Sequence, residues 1–280
     1  MISNVSFLAA KEKYDNSDIV IFGCPLDTSS SFRPGTRFGP DAIRSASEGL
    51  ETYSPILDLD LEQINFSDIG NLSIGQGNSE LAISEIYKKV KTIYADNKIP
   101  LALGGEHLIT VGLVNAAKDF YPNIHVIHLD AHADLRSTYE GTNFSHACVM
   151  SIVVEQIGAS NVSHFGIRSG TSSEWAKLKE NKNLFQLDVK TMSNLISELV
   201  DVPIYLTLDL DLLNPSELCG TGCPEPGGIN STELNEIFTV FNRLNLVGLD
   251  VVELSPMLDQ SGLSSIVAAK VVRELLLTFK

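Results

Sequence analysis

The hydrophobic residues of this chain cluster in short runs that recur along its whole length. Most of these runs are nearly continuous rather than alternating, which is typical of strands that are buried on both faces of a parallel sheet. They lie at 19–22, 64–67, 100–103, 125–129, 162–166, 184–187, 204–208 and 246–251. We therefore predict a central, mostly parallel sheet of eight strands.

Segments with helical spacing of apolar residues separate these runs. In 79–96, for example, Ile83, Ile86, Val90 and Ile93 recur at intervals of three or four residues. The predicted helices are 79–96, 108–120, 146–157, 231–243 and 263–279. Alternating strands and helices predict a single α/β sheet with helices on both faces, in which ligands bind at the carboxyl ends of the strands.

The composition and net charge of the chain disfavour some classes of binding partner. The chain has 280 residues, 44% of them hydrophobic, and a formal net charge of −15. This acidity disfavours nucleic acid and anionic membranes as partners, because both require clustered cations. No apolar run approaches the ~20 residues that span a bilayer, and no secretory signal is visible, so we expect a cytoplasmic protein. Among the cysteines, Cys219 and Cys223 indicate a zinc site only weakly, since no partner pair lies nearby.

Polar clusters follow three of the predicted strands. Gly104-Gly105-Glu106-His107 follows 100–103, whereas Asp-Ala-His-Ala-Asp follows 125–129 and Asp-Leu-Asp follows 204–208. Alternate side chains share one face of extended backbone, and carboxylates beside a buried strand are costly without a cation. The candidate metal ligands are His107, Asp130, His132, Asp134, Asp209 and Asp211.

This ligand set indicates two metal ions. Six nitrogen and oxygen ligands, four of them carboxylates, exceed what one ion requires and suit a site with bridging carboxylates. Cysteine is absent from the set, and the oxygen-rich mixture favours Mn²⁺ over structural Zn²⁺. His128 lies inside the preceding strand, and we expect it to be a satisfied core residue or to support the ligands.

Two further residues stand where a catalytic group is expected, although each also has a plainer interpretation. Glu253 follows the run 246–251, where it is either a site residue or a surface glutamate. His146 begins the predicted helix 146–157. It is either a proton shuttle, since histidine titrates near neutral pH, or a histidine without a role.

Taken together, the three clusters resemble the metal motifs of the ureohydrolase family, which comprises the arginases, the agmatinases and their relatives. The stretch from Gly23 to Arg44 and the glycine-rich stretch from Gly220 to Gly228 are also similar to that family. The resemblance runs from about Asp18 to near the C-terminus. It implies a three-layer α/β/α fold, hydrolysis of a guanidinium group with release of urea, and a homo-oligomer, commonly a trimer or hexamer.

The resemblance also implies roles for individual residues. The six candidate ligands would hold two Mn²⁺ per subunit, and Glu253 would contact the guanidinium group. His146 would relay protons to and from solvent. As a separate hypothesis of mechanism, Asp134 accepts the proton of the attacking hydroxide and passes it to the leaving amine. Because these residues span most of the chain, we expect one domain over residues 1–280.

The branch of the family is indicated by two segments. Residues 166–169 are more similar to agmatinases, and the loop 138–145 lacks the Ser/Asn pattern with which arginases hold an α-carboxylate. The expected reaction is therefore agmatine to putrescine plus urea. Asn214, Cys219 and Cys223 depart from the usual family residues beside the site.

Alternatives remain open at this stage. Guanidinobutyrate, arginine or formimidoylglutamate could be the substrate, and Arg136 and Arg168 are the candidate partners for an acidic one. A non-catalytic metal-binding relative is a weaker alternative, since all the candidate ligands are present. Mg²⁺-dependent phosphoryl transfer is weaker still, because no G-x-x-x-x-G-K-[ST] loop occurs.

Overall fold

A computed structural model describes residues 5–279 of the chain. The predicted sheet is confirmed: eight strands form it and every pairing between neighbours is parallel. Its strands are β1 (Ile19–Cys24), β4 (Phe66–Asn71), β5 (Ile99–Gly104), β6 (His125–Leu129), β7 (Val162–Phe165), β8 (Leu184–Phe185), β9 (Pro203–Asp209) and β10 (Asn245–Val252). A separate antiparallel pair consists of β2 (Tyr53–Ser54) and β3 (Leu59–Asp60).

Eight α-helices accompany the strands in the described part of the chain. They are α1 (Gly39–Ser47), α2 (Ser79–Ala95), α3 (Ile109–Phe120), α4 (Val149–Ile157), α5 (Ser172–Asn181), α6 (Val189–Glu198), α7 (Ser231–Phe238) and α8 (Leu263–Leu276). Within residues 5–279, no helix combines the length and the apolar character that crossing a membrane requires.

Some predicted boundaries are wrong. The strand expected at 64–67 begins at Phe66, and β8 is shorter than 184–187. The helix expected at 231–243 ends at Phe238, and 146–157 opens with a 3-10 turn. The prediction missed α1, α5 and α6; α5 buries only Glu174 and Leu178, so it lacks a clear apolar stripe. Its start is nevertheless marked in the sequence, because Thr171 and Glu174 form a capping box.

The core lies in two layers, one on each face of the sheet. Along β1, Ile19 and Ile21 join one cluster, whereas Val20 and Phe22 join the other. Helices α1, α6, α7 and α8 contribute to the first cluster, and α2, α3 and α4 to the second. The result is the three-layer α/β/α arrangement that the resemblance implied.

The order of strands brings the polar clusters together. The sheet runs β4-β1-β5-β10-β9-β6-β7-β8, so β5, β10, β9 and β6 are consecutive central neighbours. These are the four strands that precede the candidate site residues. Because the strands are parallel, their carboxyl ends meet at one edge of the sheet.

Candidate metal centre and active site

His107, at the end of β5, occupies the middle of a carboxylate cluster. Its Nδ1 atom lies 3.1 Å from Asp130 Oδ2, 3.2 Å from Asp134 Oδ2 and 3.5 Å from Asp209 Oδ2. This nitrogen is buried and has no hydrogen-bond partner among the described residues. Buried polar atoms are normally satisfied, so an atom left open towards three carboxylates fits a bound cation.

A second cluster shares one residue with the first. His132 Nδ1 lies 2.8 Å from Asp211 Oδ2 and 3.7 Å from Asp130 Oδ1. The two oxygens of Asp130 thus face different histidines, as expected of a carboxylate that bridges two ions. The structure therefore brings all six predicted ligands together around two positions that a metal ion could occupy.

Backbone amides hold the carboxylates in these orientations. The N–H of His132 donates to Asp130 Oδ1 at 2.6 Å, and the N–H of Asp211 donates to Asp209 Oδ1 at 2.8 Å. The Ala131 N–H donates to Asp211 Oδ1 at 3.1 Å. Each carboxylate is therefore fixed by the loop that carries a neighbouring ligand.

Two site residues have left-handed backbone. Asp134 has φ of 51° and Glu253 has φ of 68°, which is uncommon for residues with a side chain. The carbonyl of Asp134 accepts the N–H groups of Met150 and Ser151 at the start of α4, so the helix holds this conformation. Such backbone conformations are enriched at functional sites, where the surrounding structure imposes them.

The pKa values of residues in the cluster are shifted by burial and by the charges of their neighbours. Burial, followed by the charge of Asp211, raises the pKa of Asp209 well above its usual range. Burial by itself would lower the pKa of His132, but its hydrogen bond to Asp211 raises that pKa to about 10. Without a cation the cluster therefore retains protons, and a divalent ion would replace them.

His128 adjoins the candidate ligands and contacts Asp130. Together with His107 and Asp130 it forms one of two groups whose ligand atoms lie within 4.8 Å of one another; the other is Asp130, His132 and Asp211. However, its Nε2 atom lies 2.8 Å from Asp130 Oδ2, and its Nδ1 atom lies 2.9 Å from His164 Nδ1. Burial lowers the pKa of His128 to about 3, so the ring is neutral and able to orient Asp130.

Sequence reasoning missed a buried group of polar residues behind His107. The Thr207 hydroxyl lies 2.9 Å from His107 Nε2 and donates to Asp250 Oδ1 at 2.7 Å. Tyr205 and Thr110 also donate to Asp250. Asp250 is a charged residue within the apolar run 246–251, and this was the available signal.

Glu253 is directed towards the cluster from the end of β10. Its Oε1 atom accepts the N–H of His107 at 2.7 Å, and its own N–H donates to the carbonyl of Gly105. Gly105 must be glycine, because a Cβ atom there would lie 2.0 Å from the Leu26 carbonyl oxygen. Burial, with a contribution from the charge of Glu106, raises the pKa of Glu253 to about 8.

A cavity of about 310 Å³ opens above the cluster. His107, His132, Asp134, Asp209, Asp211 and Glu253 line its floor, and His146 lies in its wall. The lining also includes Arg136, which the sequence offered as a candidate partner for an acidic substrate, and Tyr139 and Glu174, whose importance the sequence did not reveal. Five acidic side chains contribute to this lining, and Arg136 is the one arginine or lysine that the described residues place there.

Of the three residues that depart from the family pattern, only Cys223 is part of the cavity lining that the described residues form. Cys223 lines it, and burial raises the pKa of its thiol to about 11, whereas Cys219 is exposed. The Asn214 side chain accepts hydrogen bonds from Ser216 and so closes a local turn. Arg168 does not line the cavity: it donates to the carbonyls of Gly166, Asp211, Glu225 and Pro226.

Several known proteins are similar to this chain in sequence or in fold. A profile of the arginase family matches residues 17–278. An agmatinase of Bacillus cereus is 41% identical over 275 residues, which cover 97% of this chain and 95% of that protein. A guanidinobutyrase of Pseudomonas aeruginosa is 32% identical over 276 residues, covering 94% of this chain and 86% of that one. The crystal structure of the agmatine ureohydrolase of Thermoplasma volcanium has a TM-score of 0.86 at 32% identity, covering 99% of this chain and 95% of that chain.

Proposed function

The chain belongs to the arginase family, and on that premise we propose that it is a binuclear-metal ureohydrolase that converts agmatine to putrescine and urea. The observation that carries the proposal is the open Nδ1 atom of His107, which faces three carboxylates beside a second His–Asp cluster. Six candidate ligands, gathered around His107 and His132 with Asp130 between them, are the chemistry that two divalent ions require.

The two ions are proposed to be Mn²⁺. The donors are two imidazoles and four carboxylates, with no thiolate, which suits Mn²⁺ better than a structural zinc site. His107 would serve one ion and His132 the other, and Asp130 has an oxygen directed to each side. When bound, the ions would lower the pKa of a water molecule so that hydroxide is available near neutral pH.

Glu253 is proposed to orient the substrate. A guanidinium group presents paired N–H donors, and a carboxylate is the acceptor that matches them in geometry and charge. The hydrogen bond from the His107 N–H uses one lone pair of Glu253 Oε1 and fixes the position of the Glu253 side chain. The substrate carbon would thereby be held over the metal cluster, which favours attack from a defined direction.

Asp134 and His146 are proposed to move the protons. The Asp134 carboxylate faces His107 on the cavity floor, where it could accept the proton of the attacking water and deliver it to the leaving amine. His146 lies in the wall of the same cavity, from which its ring could exchange protons with solvent.

The lining of the cavity favours a cationic substrate. Five carboxylates and one arginine, Arg136, line the cavity. The Arg136 Nε atom lies 3.7 Å from Glu174 Oε2, and its guanidinium lies over the Tyr139 ring. Agmatine carries two positive charges, and an acidic cavity attracts it. Arg136 makes guanidinobutyrate the second candidate. If the guanidinium of Arg136 moved away from Glu174, it could pair with the carboxylate of guanidinobutyrate.

Three broader properties complete the proposal. The chain is proposed to act as one domain over residues 1–280, in the cytoplasm, as a homo-oligomer that is a trimer or hexamer. Neither nucleic acid nor membrane is a proposed partner, in keeping with the net charge of −15. Light scattering on the purified protein measures the oligomeric state directly.

A substrate panel tests the choice of substrate. Urea release is measured from agmatine, guanidinobutyrate and arginine at equal concentrations, with and without added Mn²⁺. We expect the highest kcat/KM for agmatine, and Arg136→Gln to lower any activity on guanidinobutyrate more than activity on agmatine. A preference for guanidinobutyrate that Arg136→Gln abolishes would replace the first candidate with the second.

A further inference from the structure

Glu106 is a buried carboxylate with no place in the proposed reaction, although it precedes His107. Its Oε1 atom accepts the N–H and the hydroxyl of Thr28, at 3.2 and 3.0 Å. Its Oε2 atom accepts the N–H and the hydroxyl of Ser29, at 2.8 and 2.7 Å. Four donors from one short loop therefore converge on this carboxylate, which anchors the loop to the end of β5.

Ser29 continues this chain of contacts to His146. The Ser29 Oγ atom accepts the backbone N–H of His146 at 2.9 Å and lies 3.3 Å from His146 Nδ1. The hydroxyl hydrogen of Ser29 is directed to Glu106, so only lone pairs of this oxygen remain for His146. An atom that offers only lone pairs requires a donor opposite it.

We propose that Glu106 and Ser29 are positioning residues that hold His146 with its proton on Nδ1 and its Nε2 lone pair towards the cavity. The tautomer of a neutral histidine is set by the partner of its other nitrogen, and here that partner is an acceptor. The Tyr139 ring, edge-on to His146 at 5.7 Å between centroids, restricts rotation of the imidazole. The atom left to accept a proton is therefore Nε2.

A neighbouring hydroxyl offers the opposite arrangement. Ser145 Oγ lies 3.4 Å from the same Nδ1 atom and could donate to it, which would place the histidine proton on Nε2. The Ser29 contact is slightly shorter, and the same oxygen also holds the His146 backbone. Removing the two hydroxyls separately distinguishes the two arrangements.

The kinetic test rests on the proposed function, since it follows urea release from agmatine. We expect Ser29→Ala to lower kcat/KM at least about tenfold, a part of the 10²–10⁴ that a positioned acid–base group contributes. Ser29→Thr keeps the hydroxyl and should retain most of the wild-type kcat/KM. Ser30→Ala is the matched control, because Ser30 bonds to Asp27 in the same loop and touches neither partner. Metal content is measured for every variant.

Coupling shows whether Glu106 acts through Ser29. Glu106→Gln replaces an acceptor oxygen by a donor where four donors converge, so it should also lower kcat/KM at unchanged metal content. If the two residues act as one unit, kcat/KM of the double variant Ser29→Ala/Glu106→Gln is only slightly lower than that of the more impaired single variant. Losses that multiply would show that Glu106 acts independently, and an effect of Ser145→Ala larger than that of Ser29→Ala would assign the orientation to Ser145.

The tautomer itself is measured without any substrate. Histidine labelled with ¹⁵N and ¹³C is introduced into the full chain loaded with diamagnetic Zn²⁺, and His146 is assigned by comparison with His146→Gln. We expect the neutral ring to carry its proton on Nδ1, and Ser29→Ala to shift it towards Nε2. A proton on Nε2 in the wild-type protein overturns the inference. Because this readout needs no turnover, it stands even if no guanidino compound releases urea.

Discussion

Glu253 accepts the backbone N–H of His107 at 2.7 Å, so the residue proposed to hold the substrate is fixed by the segment that carries a metal ligand. β5 and β10 are neighbours in the sheet, and the two residues lie just beyond their carboxyl ends. One hydrogen bond thus links the residue proposed to orient the substrate to a proposed metal ligand. Replacements that leave this bond intact separate the two functions.

Glu253→Gln keeps an oxygen for the His107 N–H but removes the negative charge. We expect bound metal and Tm to be nearly unchanged and kcat/KM for agmatine to fall by about 100-fold or more, because a charge-assisted pair with the guanidinium is lost. Glu225→Gln in the glycine-rich loop, outside the cavity lining, is the matched control. Wild-type kcat/KM in Glu253→Gln would rule out the orienting role.

Asp130→Ala removes the carboxylate that faces both histidines. The expected result is a drop in bound Mn²⁺ from two ions to one or none by elemental analysis, with activity lowered by 10³-fold or more. Asp209→Ala should behave similarly, whereas Asp119→Asn, which alters an exposed ion pair with Lys91, should change neither value. Full urea release by Asp130→Ala at normal metal load contradicts the ligand assignment.

Removal of metal should make stability depend on pH. In the metal-free chain the pKa of Glu253 is raised to about 8 and that of His132 to about 10, so the folded state binds protons that the unfolded state releases. That stabilisation is complete below the unfolded pKa values and is lost as the pH rises through the folded ones. The Tm of the metal-free protein should therefore fall between pH 7 and pH 9.

With Mn²⁺ bound, the fall of Tm between pH 7 and pH 9 should weaken or disappear, because the ions replace the protons on the cluster. Differential scanning fluorimetry at pH 7, 8 and 9, with metal and after chelation, measures both curves. A metal-free protein whose Tm rises over this interval would show that the cluster does not retain protons.

Arg168 joins the glycine-rich loop to the edge of the cluster, because it donates to the carbonyls of Glu225 and Pro226 in that loop and to those of Gly166 and Asp211 outside it. Lysine cannot reproduce this planar set of donors, so Arg168→Lys should cost about 2 kcal/mol of folding free energy and lower the Tm by several degrees. Arg243→Lys is the control, because Arg243 bonds to two exposed serines. An equal effect of the two substitutions would show that Arg168 is not a clamp.

Much of the fold was predictable because buried parallel strands leave nearly continuous apolar runs, and all eight were found in this way. The order of strands was not predictable from those runs, since an apolar run does not specify which strand lies beside it. Helix α5 was missed because it buries few residues and therefore shows no clear apolar stripe. Local pattern thus identified the elements but not their arrangement.

The candidate metal ligands could be found from a local pattern in the sequence, whereas the contacts proposed to position His146 could not. Asp130 and His132 alternate after a buried strand, a pattern visible within a few residues; Asp134 departs from extended backbone, with φ of 51°, yet still reaches the cluster. Ser29 lies 117 residues from His146 in sequence. A contact at that separation depends on the folded path of two loops and leaves no local signal.

The most direct test of the account is a titration of the metal-free enzyme with Mn²⁺, in which bound ions and urea release from agmatine are measured on the same samples. We expect negligible urea release without metal and a maximum at two bound ions per chain, with putrescine formed in equal amount. Two bound ions without urea release, or full urea release from the metal-free enzyme, would contradict the central claim that this chain is a binuclear-metal ureohydrolase.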